Sequence, residues 1–329
     1  MLFSLVIPVY NRPDEVAELL ESLTLQTVGD FEVIIVEDGS TLTCEEIVRR
    51  YADRLPVTYY RIPNGGPGQA RNYGAAKARG AYLIVLDSDC ILPPGYIRAV
   101  SNELNRVNAD AFGGPDRASD HFTGVQKAIN YAMTSFFTTG GIRGGRKELD
   151  RFYPRSFNMG IRKTVYDELG GFSKMRFGED IDFSIRIYEA GYSVCLFSSA
   201  WVYHKRRTDW KKFYRQVYNS GIARINLYKK YPHSLKPVHC LPALFTLGVL
   251  CLVCASFFCA WSLVPLLLYA VVVCTDAAIW NRSLRIGILA VLASCIQLTG
   301  YGCGFMAAVW KRMILGRGEF AAFEKNFYR

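Results

Sequence analysis

Phe3-Ser4-Leu5-Val6-Ile7-Pro8-Val9-Tyr10-Asn11 is a short apolar run closed by polar residues, and the same phrase returns as Glu32-Val33-Ile34-Ile35-Val36-Glu37-Asp38-Gly39-Ser40. Each run reads as a short strand, the first of them buried on both faces. Between them, Asn11 is placed to cap a helix with Pro13, Asp14 and Glu15 in its first turn and Val16, Leu19, Leu20 and Leu23 along one face. The rhythm continues with a helix at about 43–52, a strand at 57–62, a helix at about 68–79 and a strand at 82–86. Strands alternating with helices of this length predict parallel β-α-β units with right-handed crossovers. The fold class is therefore α/β, an open and mostly parallel sheet with helices on both faces over about the first 110 residues.

The chain has 329 residues, half of them hydrophobic and 21% charged, which excludes a disordered protein and leaves room for about two units. Lys and Arg number 39 against 29 acids, giving a net charge of +10. Such an excess serves nucleic acid, an anionic lipid surface or a phosphate-rich substrate. No nucleic-acid-binding module accompanies it, so nucleic acid is not an expected partner. Of the 10 cysteines, Cys44, Cys90 and Cys195 are isolated and the others fall at or after Cys240. Cys251 and Cys254 have metal-like spacing but neither a second pair nor a nearby His, so free thiols in a reducing compartment are expected. Met1 to Tyr10 has no basic leader, and Pro8 and Asn11 end the apolar run too soon for a signal peptide. The amino-terminal domain is thus expected in the cytosol.

Beyond residue 110 the alternation stops. Gly113-Gly114-Pro115, Gly140-Gly141 and Gly144-Gly145 break up a middle section expected to carry pocket-forming loops. A helix from 163, a turn at Gly170-Gly171, a helix at about 180–190 and a strand at about 192–197 follow. Residues 210–230 read as a basic amphipathic helix with Trp210, Phe213, Tyr214, Val217 and Tyr218 on one side.

The last third differs in kind. Cys240 to Thr275 holds 36 residues without a formal charge. As one helix it would reach roughly 54 Å, too long for a single crossing of a core of about 30 Å. Two helices turning near Trp261–Pro265 are expected, and Ile286–Trp310 adds a third uncharged stretch of 25 residues. The division drawn from composition is a domain at 1–235, with halves at about 1–110 and 111–235, and a membrane domain at 236–329. The latter has hydrophobic segments at about 240–259, 263–280 and 286–310 and a basic tail. An enzyme domain inside puts Arg282 and Arg285 in a cytosolic loop, obeying the positive-inside rule, while Lys311, Arg312 and Arg317 disobey it if the third stretch crosses fully. Gly300, Gly302 and Gly304 could let that stretch bend or re-enter.

Ligands of an open parallel sheet bind beyond the carboxyl ends of its strands. Polar groups stand at three such ends: Pro8 to Asn11, Glu37 to Ser40, and Asp87-Ser88-Asp89. Two carboxylates two residues apart suit a hard divalent cation, Mg²⁺ or Mn²⁺, shared with a diphosphate. Asn64 to Gly74 is a glycine-rich helix entry whose free N–H groups favour an anion. Arg71 stands where a dinucleotide fingerprint needs glycine, so it is read as facing a phosphate or forming a helix-packing ion pair. Asp180 in Gly178-Glu179-Asp180-Ile181-Asp182 is either a helix-terminal acid or a general base for an acceptor hydroxyl.

Taken together, Ser4–Asn11, Val36–Ser40, Gly68–Gly74, Leu86–Asp89 and Gly178–Asp180 resemble a family 2 glycosyltransferase of the GT-A fold, membrane-anchored and bacterial in type. The resemblance covers about residues 3–230. It implies that Pro8, Tyr10 and Asp38 hold the nucleotide base, with Glu37 replacing the commoner Asp beside Asp38. It further implies that Asp87 lies on the ribose and phosphate side, that Asp89 ligates the metal, and that Asp180 is the catalytic base. His204 stands where related enzymes place a further metal or phosphate ligand, and is otherwise structural. Asp87, Asp89 and His204 are the metal-ligand candidates.

An inverting, metal-dependent transfer from a nucleotide-diphosphate sugar, a UDP-sugar foremost, is then expected. Lys205, Arg206, Arg207, Lys211 and Lys212 precede the membrane segments, either as a solvated face or as a contact for anionic head groups or a lipid-linked diphosphate. The expected acceptor is accordingly a lipid-linked glycan of surface polysaccharide assembly at the cytosolic face of the cell (inner) membrane. Direct transfer to a polyprenyl phosphate and a catalytically silent nucleotide-sugar sensor or scaffold are the alternatives.

Overall fold

The computed structural model describes residues 2–117, 122–139, 152–175, 177–205 and 209–319. Packing groups them into two units, one from the described parts of 1–119 and 151–204 and one from the described parts of 120–150 and 205–320. The expectations on Gly140-Gly141, Gly144-Gly145, Arg206, Arg207 and the tail from 320 lie outside the described residues.

The first unit opens with β1 (Phe3–Val9), α1 (Pro13–Thr24), β2 (Phe31–Asp38), α2 (Glu45–Tyr51), β3 (Val57–Ile62), α3 (Pro67–Lys77) and β4 (Tyr82–Leu86). Next come β5 (Cys90–Ile91), α4 (Tyr96–Arg106), β6 (Ala111–Gly113) and β7 (Asp116–Arg117). Two helices of the second unit, α5 (Gly124–Thr134) and α6 (Phe136–Thr139), intervene before β8 (Asn158–Arg162), α7 (Lys163–Glu168), α8 (Glu179–Glu189), β9 (Val194–Leu196) and β10 (Val202–His204). The main sheet has the order β3-β2-β1-β4-β8-β6-β9, and β5-β10-β7 form a small second sheet. β1 pairs in parallel with β2 and β4, and β2 with β3. β8 runs antiparallel to both of its neighbours, β4 and β6.

Alternation along β1 assigns its two faces. Leu5 and Ile7 pack under Leu19 and Leu20 of α1 and Ile97 and Val100 of α4. Val6 faces the other way, with Ala75, Val165, Phe183 and Ile187. β1, β2 and β4 are buried along their whole length, whereas β3, at the edge, is only partly covered. The chain moves outward from β1 through β2 to β3, then returns to β4 on the opposite side of β1. That reversal makes the carboxyl ends of β1 and β4 the topological switch point.

One local expectation is corrected. Asn11 does not cap α1, because its backbone is in the left-handed region at φ +53°. Its side-chain oxygen instead accepts from the N–H groups of Thr41 and Leu42 at 2.8 and 2.9 Å, and its own N–H donates to Ser40 Oγ at 2.8 Å. Asn11 thus ties the loop after β1 to the loop after β2.

In the second unit α9 (Trp210–Lys230), α10 (Leu241–Ser256), α11 (Val264–Asn281) and α12 (Leu284–Ala308) accompany α5 and α6. Pro237–Ser256, Ala260–Asn281 and Leu284–Ile314 are helical stretches long and apolar enough to cross a membrane. Large apolar side chains such as Leu244, Leu250, Leu267, Leu268 and Ile279 are exposed on them. The last stretch is the central one, 44% buried in its most apolar part against 6% and 11% for the other two. α12 is unbroken, and its glycines serve close packing rather than a bend. A Cβ on Gly304 would meet the Tyr218 carbonyl oxygen of α9, and one on Gly221 the Tyr301 carbonyl oxygen of α12. Phe213 and Val217 of α9 are buried in this packing, while Tyr214, Lys211, Lys212, Lys229 and Lys230 stay exposed.

Candidate active site

The second-strand rim is held by backbone. Asp38 ends β2, fully buried, and its two carboxylate oxygens accept from the N–H groups of Gly65 and Gly66 at 2.7 and 2.9 Å. The anion at the glycine-rich helix entry is therefore the protein's own carboxylate. Gly39 follows at φ +69°, where a Cβ would stand 2.6 Å from the Asn64 nitrogen, so the turn requires glycine. Glu37 points away from the rim. Its carboxylate accepts from Ser40 Oγ, from the Cys44 N–H at 2.8 Å, from the Cys44 thiol at 3.0 Å and from the Tyr59 hydroxyl at 3.2 Å. Burial, and then the adjoining Glu37 charge, push the Cys44 thiol and the Tyr59 phenol well above their ordinary ranges, so both stay protonated donors. Pro8 is buried within β1 in register with Val36, beyond the last residue paired with β4. Tyr10 is the partly exposed residue of this group.

The opposite rim is held by side-chain cations. Asp87 accepts from Arg71 at 2.8 Å, and the same guanidinium reaches Glu179 at 3.0 Å and lies 5.2 Å from the centre of the Phe172 ring. Arg71 thus pairs with both acids, its side chain only 4% exposed. Asp89 accepts from Arg12 at 2.6 Å and contacts His204 Nε2 at 3.1 Å. His204 lies against Phe157, ring centres 4.8 Å apart, with Nδ1 3.9 Å from Asp116. Asp180, in the first turn of α8, accepts from Arg155 at 2.6 Å and from the Ile181 N–H at 2.9 Å. Burial raises Asp180, but Arg155 and then Arg71 more than offset it, so the carboxyl titrates below its usual range. Its neighbour Glu179 is pushed up by burial and by the Asp180 charge.

These contacts join acids far apart in sequence. Arg71 links the acid after β4 to the start of α8, and the helix that carries Arg71 begins at the amides gripping Asp38. Asp38, Asp87, Asp89, Asp180 and His204 thus belong to one connected set at the sheet edge. Sequence reasoning missed Arg12, Arg155 and Glu179. Arg12 adjoins the Ser4–Asn11 motif and Glu179 lies within Gly178–Asp180 without a role of its own there, whereas Arg155, 25 positions before its partner, carries no local signal.

The donor chemistry fits a divalent cation at one place. Asp89 Oδ1 and His204 Nε2 are 3.1 Å apart, close to the roughly 3 Å between neighbouring donors on a six-coordinate ion with bonds of about 2.1 Å. Cys90 Sγ lies within 4.8 Å of both, a fully buried thiol that burial pushes well above its ordinary range. Asp87, expected to share the ion, is turned to Arg71 and is not part of this cluster.

The Glycosyl transferase family 2 model matches residues 4–170. The chain belongs to glycosyltransferase family 2. An uncharacterized glycosyltransferase of Haemophilus influenzae is 31% identical over 196 residues, 57% of this chain and 62% of that protein. The minor teichoic acid biosynthesis protein GgaB of Bacillus subtilis is 33% identical over 130 residues, 36% of this chain and 14% of that protein. The chain therefore spans less than two thirds of the length of either relative. Among solved structures, the mannosyltransferase PcManGT from Pyrobaculum calidifontis in complex with GDP-Man and Mn²⁺ has a TM-score of 0.62 at 18% identity, covering 88% of this chain and 86% of that one. S. aureus TarS 1–349 in complex with UDP-GlcNAc has a TM-score of 0.50 at 20% identity, covering 69% and 67%. These likenesses support the GT-A-like fold of this family 2 member.

Proposed function

We propose that this glycosyltransferase moves a sugar, with inversion, from a nucleotide-diphosphate sugar to a hydroxyl of a lipid-linked glycan at the cytosolic face of a membrane. The observation that carries the proposal is the Arg71 bridge, which joins the acids after β4 to the first turn of α8 at the switch point of the sheet. Donor complexes of the structural neighbours, with UDP-GlcNAc and with GDP-Man and Mn²⁺, support a nucleotide-sugar donor, and a UDP-sugar is favoured. The name of GgaB and the three membrane-length helices support a glycan acceptor carried on lipid.

In this reading Tyr10 offers its partly exposed ring to the base, while Pro8 and Asp38 shape the pocket behind it. Glu37 holds the supporting turn through Ser40 and Cys44. Asp89 and His204 would hold Mn²⁺ or Mg²⁺, whose chemistry would be to neutralise charge on the departing diphosphate. Arg71 keeps Asp87 toward the ribose and phosphate side. Asp180, ionised because of Arg155 and Arg71, takes the proton of the acceptor hydroxyl as that oxygen attacks the anomeric carbon.

The test is transfer by the full chain in detergent with a panel of nucleotide sugars. Asp180→Asn should lower kcat by about 10²–10⁴-fold with donor binding retained. Asp89→Ala should abolish the metal requirement together with most of the activity. Wild-type rates in both variants would overturn the assignment. Should Asp180→Asn alone stay active, an acceptor that arrives already anionic, a polyprenyl phosphate, becomes the better reading.

A further inference from the structure

The segment between β7 and β8 carries a feature that the proposed reaction does not use. Ala128 to Thr139 are twelve residues of a fifteen-residue run without a formal charge, 128–142, which is too short for a full crossing. α5 and α6 fill the twelve and pack on the membrane-length helices of their own unit. Ala128, Ile129, Ala132 and Met133 share a cluster with Val273 and Ala277 of α11 and Ala290 and Ala293 of α12.

Two polar contacts fix the segment at two levels of α11. The Tyr131 hydroxyl donates to Asp276 at 2.6 Å, with the Trp280 ring edge-on to Tyr131 at 6.1 Å. The Tyr269 hydroxyl donates to the Phe137 carbonyl at 3.3 Å. Tyr269 and Asp276 are two turns apart, about 10 Å along the helix at about 1.5 Å per residue. The segment therefore follows α11 inward from its Trp280 end rather than stopping at that end.

Several of its polar groups bond within the segment and others to α11, as hydrocarbon favours. Helix α5 stops at Ser135, and hydroxyls take up the carbonyls near the break. Thr134 donates to the Asn130 carbonyl, Thr138 to that of Ala132 and Thr139 to that of Ser135, while Ser135 Oγ accepts the Phe137 N–H. At the far end Phe136 is 71% exposed and Phe137 43%, ring against ring. Two exposed phenylalanines beside a membrane-length helix, with no charge among the twelve residues, match acyl chains and not water.

We propose that residues 124–139 form a re-entrant wedge whose Phe136–Phe137 tip contacts the acyl chains of bilayer lipid, with the Tyr131–Asp276 bond as its fastening on α11. The wedge is spliced into the chain between two strands of the sheet unit, so it would give that unit a membrane attachment besides the one after His204. The inference rests on the reading that α10, α11 and α12 lie in the bilayer, and the test separates the two.

The experiment places the photoreactive phenylalanine analogue benzoylphenylalanine singly at Phe136, at Leu250 on the outer face of α10, and at Leu42 in the loop after β2. Each full-length protein is irradiated in phosphatidylcholine–phosphatidylglycerol nanodiscs, and lipid adducts are read by mass. Adducts at Phe136 comparable with those at Leu250 and well above those at Leu42 are the expected result. Adducts at Leu250 with Phe136 no higher than Leu42 would overturn the wedge and leave the membrane helices standing. Loss at both Phe136 and Leu250 would remove the membrane reading and the wedge with it. As a second readout, Tyr131→Phe should lower the Phe136 yield without changing that of Leu250, and an unchanged yield would refute the fastening.

Discussion

The two rims of the site hold their acids by different means. Asp38 is gripped by two backbone amides that belong to a glycine turn, and nothing short of moving the chain releases it. Asp87, Asp89 and Asp180 are gripped by Arg71, Arg12 with His204, and Arg155, all side chains that can exchange partners. A backbone grip builds a fixed wall, which in the proposed reading would suit the rigid base of the donor. A side-chain grip keeps a carboxylate ionised and aligned yet able to turn toward a cation or an incoming hydroxyl.

Four substitutions test that contrast. Arg71→Met should act most strongly, since it leaves the largely buried Glu179 and the partly buried Asp87 without their cation, a loss of about 3 kcal/mol read as a lowered Tm in detergent. An unchanged Tm would mean that the rim does not depend on the bridge. Asp38→Asn replaces one of two amide-accepting oxygens by a donor, and should cost about 1.5–3 kcal/mol in donor binding, seen as a raised KM with kcat preserved. A fall in kcat alone would place Asp38 on the chemical side and erase the distinction drawn between the rims.

Arg155→Met removes the cation nearest Asp180. In the native protein the ionised carboxylate is favoured, so its stabilising contribution is present above the unfolded carboxyl pKa and is lost as pH falls through the lowered folded value. Without Arg155 the folded pKa rises, and the acid limb of kcat/KM should move to higher pH. A limb that stays in place would indicate that Asp180 does not set it. The smallest effect is expected from Glu37→Gln, about 1 kcal/mol of Tm-measured stability. The substituted amide would keep one accepting oxygen but present its NH₂ to groups that are themselves donors.

Much of this is legible in residue order, for a physical reason. The strands at Phe3–Val9, Val57–Ile62 and Tyr82–Leu86 and the helix Trp210–Lys230 lie where periodicity predicts them, because burial on two faces or along one stripe is a local pattern. Asn11 reads wrongly from sequence because capping and loop-tying use the same side-chain chemistry, and only its positive φ distinguishes them. Arg155 is invisible there because an isolated arginine in irregular chain has no period. The glycines of α12, which in sequence leave a bend or re-entry open, are contact surfaces in the fold, and that depends on what stands opposite them.

Residue order by itself determined that this is an α/β sheet with acids at its strand ends, joined to three apolar stretches of membrane length. Apolar periodicity and the polar residues that close each strand are properties of neighbours along the chain. Which cation holds which acid was decided only by tertiary structure, because an ion pair is set by distance in space. The sheet order β3-β2-β1-β4 and helix α3 bring Arg71 between Asp87 and Glu179, and nothing in their spacing along the chain requires it.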